Sequence, residues 1–277
     1  MTEASSGLHL KDELARKIKL VLAYDGTDFS GWQRQLGQRT VQEELEKAVE
    51  KMHGCPVAIM GAGRTDSGVH AVGQTAHFSS NIKSIPAERF EPALNSLLPK
   101  DIRIVKASEA GKNFHARFDA RLRRYKYYIR YGKNQLPHLD RYAWRLFKKP
   151  DINRLNRMAS CLHGEQNFSA FASAQDKSHS RKRYIYHAAF YPEGDALVFD
   201  IAANAFLWRM VRSITGTLIE LDDSKKDERE MKKILDSGDR SLAGATAPAK
   251  GLFLWSVLYE GVPVKGPRAE YFAESEQ

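Results

Sequence analysis

At 277 residues, 42% hydrophobic and 28% charged, the chain is long enough for one large domain or two modest ones with a sizeable core. No apolar run approaches the roughly 18 residues that suggest a membrane span, and residues 1–16 lack the apolar segment of a signal peptide. Cys55 and Cys161 stand far apart with no CxxC or Cys/His ligand spacing, so a disulfide framework and a zinc site are not expected, and both are read as reduced thiols of a cytoplasmic protein.

In chain order, residues 1–16 read as a polar leader. Residues 18–24 form an apolar strand ending in the turn Asp25-Gly26, and 31–37 a loop. A helix begins at Thr40, where Thr40 and Glu43 make a capping-box pattern and Val41, Leu45, Ala48, Val49 and Met52 share a face. Residues 56–60 read as a short buried strand, followed by a glycine-rich loop and a strand at 74–78. Pro86 suits the first turn of a helix with Phe90, Ala93, Leu94 and Leu97 on its apolar side, and 101–107 is another strand. The second part repeats this rhythm. An aromatic-basic strand near 122–131 leads to a helix from Asp151, strands at 184–191 and 196–202, an apolar helix opening at 203–212, a charged helix around 227–235 and a last strand at 251–259. Strands mixed with helices outside strict βαβ alternation predict an α+β architecture. The expected division is 17–113 for a first lobe, 114–262 for a second, and 263–277 for a polar tail.

The run GAGRTDSGVHA, 61–71, places the carboxylate Asp66 beside Arg64 in a segment of turn formers and glycines. A carboxylate and a cation in a loop at a strand end are a place for chemistry, though a glycine-rich connection with an Asx-turn aspartate is the commoner meaning. The net charge of +9 favours a polyanion partner. Its local distribution sharpens this: HARFDARLRRYKYYIRY, 115–131, has six Arg/Lys against one acid, Asp119, interleaved with Phe118 and four tyrosines. Cations meet phosphates and aromatic rings stack on unpaired bases, so this mixture suits looped or single-stranded RNA. SRKRYIYH, 180–187, repeats the pattern. His70 and His77 lack partners at ligand spacing and are read as structural; Trp208 and Met210 are read as core.

GRTDSGVHA closely resembles the signature loop of the tRNA pseudouridine synthase A family, whose aspartate is catalytic, which singles out Asp66. Four further segments resemble that family in order: YDGTDFSGWQRQ (24–35), RYKY (124–127), NAFLWRMVR (204–212) and ATAPAKGLFL (245–254). The family has a second arginine where Lys126 stands. The resemblance implies two related α/β lobes with mainly antiparallel sheets joined across a central cleft, a homodimer, and tRNA as partner. It implies isomerisation of uridine to pseudouridine at positions 38, 39 or 40 of the anticodon stem-loop, with no cofactor and no metal. Asp66 would drive glycosidic cleavage, by attack on the sugar or by removing a proton from it. Tyr125 would stack on the target base, Arg212 would pair with Asp66, and Leu252 would wall the pocket. Arg64 would fill the space of the flipped nucleotide or grip its phosphate. Arg117, Arg121, Arg123, Arg124, Lys126, Arg181, Lys182 and Arg183 would hold the RNA backbone. The rival readings are a non-catalytic RNA-binding protein, a base-excising glycosidase, for which a second carboxylate near Asp66 is missing in sequence, and a synthase of this family with other RNA targets.

Overall fold

A computed structural model describes residues 16–132 and 136–266, so the expected leader, apart from Arg16, and most of the expected tail lie outside the described residues. The chain divides into two compact units, one ending at Asp119 and the other beginning at Ala120.

In the first unit, β1 (Arg16–Tyr24) lies between β3 (His70–Ser80) and β4 (Ile102–Ala110), antiparallel to both. Burial alternates along β1, with Ile18, Leu20, Leu22 and Tyr24 inside, as a strand covered more fully on one face requires. Helix α1 (Val41–His53) and helix α2 (Phe90–Leu97) pack on the sheet through Val41, Leu45, Ala48, Val49, Phe90 and Leu94, and the rings of His53, Phe78 and Phe90 meet there. Thr40 caps α1 by accepting from the Glu43 N–H, and Gly54 ends it in the left-handed region. Pro86 precedes a 3-10 turn, Ala87–Arg89, that leads into α2. The strand expected at 56–60 shrinks to β2 (Met60–Gly61), paired with β3. The reason is local: the Ile59 N–H donates to Glu46 and its carbonyl accepts from Gln42, so α1 side chains take the place of a neighbouring strand.

In the second unit the strands are β5 (Leu122–Tyr131), β6 (Trp144–Leu146), β7 (Gly164–Asn167), β8 (Lys182–Glu193), β9 (Ala196–Ala203) and β10 (Leu252–Leu258). The order β10-β5-β9-β8-β7 is antiparallel throughout, and β6 adds a short parallel pairing to β5. Three helices accompany it: α3 (Ile152–Ser160), capped by Asp151, α4 (Met210–Asp223), buried along most of its length, and α5 (Glu228–Ser237). The helix expected to open at 203–212 starts only at Met210. The Asn204 side chain accepts from the Tyr184 and Ala205 N–H groups, and Asp176 accepts from the Trp208 N–H, so the backbone before Met210 is bonded sideways rather than along a helix. Among the described residues no helix is long and apolar enough to cross a membrane.

Candidate active site

Asp66 sits on the connection between β2 and β3, in a turn closed by the Val69 N–H donating to the Asp66 carbonyl at 3.1 Å. The segment 24–32 runs alongside and is bonded to it through backbone and side chains alike. Trp32 N–H donates to Thr65 O at 3.1 Å, and the Gly68 N–H and Ser67 hydroxyl donate to Phe29 O at 3.3 and 3.2 Å. The two chains are so close that a Cβ on Gly31, at φ +94°, would lie 2.6 Å from Thr65 O, and one on Gly26 only 2.0 Å from Val69 O. The Gly26 N–H donates to His70 Nδ1 at 3.0 Å, which gives that buried histidine a structural task. Under the turn, the buried Tyr24 hydroxyl and Thr65 Oγ1 are 2.8 Å apart, and burial pushes the Tyr24 phenol well above its ordinary value despite that hydrogen bond. Asp66 is half-buried and Arg64 exposed. The family-like run 24–35 is thus the structural partner of the Asp66 turn, and sequence reasoning noted both without seeing that one holds the other.

Tyr125, Leu252 and Arg212 all belong to the second unit. Tyr125 and Tyr127 point to the same face of β5, where their register partners are Leu254 and Leu252 on β10 and Ile201 and Phe199 on β9. Tyr125 is buried and meets Phe206 edge-on, with centroids 5.2 Å apart. The Tyr127 hydroxyl donates to Pro248 O at 2.7 Å; burial holds its phenol far above the ordinary value, with nearby Arg212 opposing. Arg212, in the first turn of α4, donates from Nε to Ala247 O at 2.8 Å, while the Ala247 N–H returns a bond to Arg212 O. The structure therefore gathers Tyr127 and Arg212 around the 245–252 segment that ends in Leu252, with Tyr125 two residues along the same face of β5. Tyr127, the buried post of this arrangement, was missed; its alternation with Tyr125 was the available signal.

The basic residues divide. Arg124 and Lys126 lie on the opposite face of β5 from Tyr125, as strand alternation demands. There the Arg124 guanidinium pairs with Asp200, whose side chain is fully buried, and Nε reaches Oδ1 at 2.8 Å. Lys126 is buried, 2.7 Å from Glu193 and 4.1 Å above the Trp255 ring. Arg123 is buried and donates to Ala120 O and Asn204 O at 2.8 and 2.7 Å. Arg183 is 1% exposed and donates to Ser180 O and Lys182 O; burial pulls its guanidinium down to about 10. The expectation that Arg123, Lys126 and Arg183 grip an RNA backbone is corrected on these grounds: they are interior cations spent on the protein's own carbonyls and carboxylates. Arg121 and Lys182 are exposed, Arg117 half-exposed, and Arg181 pairs with Asp176 at 2.6 Å. Trp208, expected in the core, is 39% exposed, whereas Met210 is buried. Among the described residues no group of three or more His, Cys, Asp or Glu side chains is placed to hold a metal ion.

A sequence model of the family described as tRNA pseudouridine synthase matches residues 20–119 and 158–260, one segment in each unit. The chain is similar to tRNA pseudouridine synthase A of Treponema denticola, with 51% identity covering 91% of this chain and 96% of the relative. The corresponding Treponema pallidum protein is 48% identical, covering 83% and 84%, and the Thermoanaerobacter protein 43% identical, covering 88% and 100%.

Proposed function

We propose, for a chain that belongs to the tRNA pseudouridine synthase family and isomerises uridine to pseudouridine in tRNA, that Asp66 is its catalytic carboxylate and that its targets are uridines 38, 39 and 40 of the anticodon stem-loop. One observation carries the assignment of Asp66. Its backbone is pinned from both sides by the 24–32 segment, yet its carboxylate stays half-exposed on a sharp turn, the combination of rigid support and accessibility that a reacting group needs.

The reaction breaks the glycosidic N1–C1′ bond, turns the detached uracil and joins C5 to C1′ with loss of the C5 proton. Asp66 drives the cleavage, as nucleophile at the sugar or as base toward it. The target base must leave its stack to be reached. Tyr125 then stacks on it, a contact typically worth about 1–3 kcal/mol per base. Arg212, aimed by its Nε bond to Ala247, is the cation that pairs with Asp66 and orients it. Leu252 walls the pocket against water, and Arg64 occupies the vacated stack or holds its phosphate. Arg117, Arg121, Arg181 and Lys182 remain as backbone contacts, whereas Arg124 is engaged by Asp200. Unbridged Cys55 and Cys161 support a cytoplasmic setting. A homodimer is the assembly, supported by the aromatic face of β5 and β10 where Tyr128, Phe253 and Trp255 cluster half-exposed.

The test is pseudouridine mapping on unmodified tRNA transcripts, with chelator present and no added cofactor. Wild type converts the anticodon stem-loop uridines, whereas Asp66→Ala and Asp66→Asn bind tRNA without converting it. Near wild-type conversion by Asp66→Ala sinks the catalytic assignment, conversion elsewhere in the tRNA sinks the target assignment, and abasic sites in place of pseudouridine identify a glycosidase.

A further inference from the structure

Three observations converge on residues 204–210, between β9 and α4. First, the burial order is unusual: Leu207 and Met210 are inside, while Trp208 between them is 39% exposed and Arg209 is exposed. A residue of this size left 39% exposed beside two buried neighbours forgoes burial that folding would use. Second, Arg209 has φ 63° and ψ 7°, a left-handed conformation that residues with a Cβ avoid, and its guanidinium stands 5.3 Å from the Trp208 ring centroid. Third, the backbone is clamped in this shape. Trp208 donates its N–H to Asp176 and accepts from the Ser173 N–H at 3.0 Å. The Met210 N–H donates to Leu207 O at 3.1 Å, and the Ser213 N–H to Arg209 O at 2.9 Å. Asp176 is itself built in: its side chain is 4% exposed, accepts from the Ser178 N–H at 2.8 Å and pairs with Arg181 at 2.6 Å. Strained backbone that its surroundings over-determine marks functional positions.

We propose that Trp208, with Arg209 across its ring, is a platform on which an unpaired nucleobase of the tRNA stacks, a base other than the one held by Tyr125, and that Asp176 is the positioning residue that holds this platform. An exposed indole with a cation over it offers what a base at the edge of a polyanion recognises: a flat π surface and a positive charge beside it. The place is apt. Phe206, two residues before Trp208, rests edge-on against Tyr125, and Arg212 follows four residues later. Lys177 and Lys182, both exposed, and half-exposed Arg181 flank the clamp that Asp176 makes, so the phosphates on either side of a stacked base meet positive charge.

The proposal rests on the tRNA-modifying activity and is tested by two readouts on one unmodified tRNA transcript. In steady-state kinetics Trp208→Ala raises KM roughly 5- to 150-fold, the range that loss of one base–aromatic stack produces, with the effect on KM rather than kcat, and Trp208→Phe recovers most of it. In fluorescence titration, tRNA quenches wild-type tryptophan emission, and the Trp208→Phe protein lacks that component. Asp176→Ala follows Trp208→Ala in KM, and the double variant is no worse than either single one. Trp208→Phe keeps a ring in place and with it the wild-type unfolding temperature, so its loss of quenching reports on RNA even where Trp208→Ala or Asp176→Ala loses stability. Wild-type KM and unaltered quenching in the Trp208 variants overturn the platform, as does a fall in kcat at unchanged KM. Failure of the wild-type protein to convert tRNA is the distinct outcome that removes the underlying reading.

Discussion

At the scale of single residues, the Asp66 turn is governed by how closely two stretches of backbone approach. Gly26 and Gly31 allow it, for a Cβ on either would press on a carbonyl oxygen of the turn, and backbone, unlike a flexible side chain, cannot step aside. Gly63 is different: nothing lies within 4 Å of where its Cβ would stand. We therefore expect Gly26→Ala to shift the turn and cost about 1–3 kcal/mol, as overpacking does, lowering the unfolding temperature together with activity. Gly63→Ala should stay within about 0.5 kcal/mol of wild type. Thermal unfolding of the two variants side by side decides the point, and equal stability would mean that the close approach at Gly26 is not what fixes the turn. The glycines were legible in the sequence as a loop signal. Which of them is sterically required was not, because the atoms that crowd Gly26 belong to residues more than forty positions away.

At the scale of elements, β5 shows what alternation can and cannot reveal. Tyr125-Lys126-Tyr127 announces a strand with unlike faces, and it is one. Local sequence cannot say which face is solvated, and the cations that looked like an RNA surface are largely consumed by carboxylates that arrive from β8, β9 and the turn between them: Asp200 for Arg124, Glu193 for Lys126, Asp195 for Arg130. Counting charges along one segment overestimates the free ones for this reason. The distinction has a measurable consequence. Each phosphate contact that is lost lowers the slope of log affinity against log salt by about one. Lys182→Gln should reduce the slope for tRNA binding by that amount. Lys126→Met should leave the slope alone while lowering stability, since it strips Glu193 and Trp255 of their shared cation. Affinity measured across a potassium chloride series separates them, and a slope reduced by Lys126→Met would restore that residue to the RNA contacts.

At the scale of the whole molecule, the two-part rhythm of strands and helices was readable, because the apolar periods are long and the turns well marked. The division itself is a tertiary matter. Residues 114–119, aromatic like β5, are held by the first unit: the Ala116 N–H donates to His77 Nδ1 at 3.1 Å, and Phe114 and His115 pack edge-on against the His77 ring. That attachment carries a pH dependence. Burial, with Lys17 and His115 adding to it and Asp119 opposing, lowers His77 from 6.5 to about 4, so the folded state keeps it neutral and able to accept from Ala116. The unfolded chain takes up the proton at higher pH than the folded one does, and stability therefore rises with pH across this interval. The contribution of His77 is complete above about pH 6.5, drains away as pH falls, and is gone near pH 4. One proton over that span amounts to at most roughly 3 kcal/mol. His77→Asn, which retains an acceptor near the Nδ1 position but does not titrate, should lose some packing at pH 7.5 and show a flatter decline toward pH 5 than wild type. Urea unfolding at several pH values tests this: converging curves are expected, and parallel ones would remove His77 as the origin of the acid sensitivity.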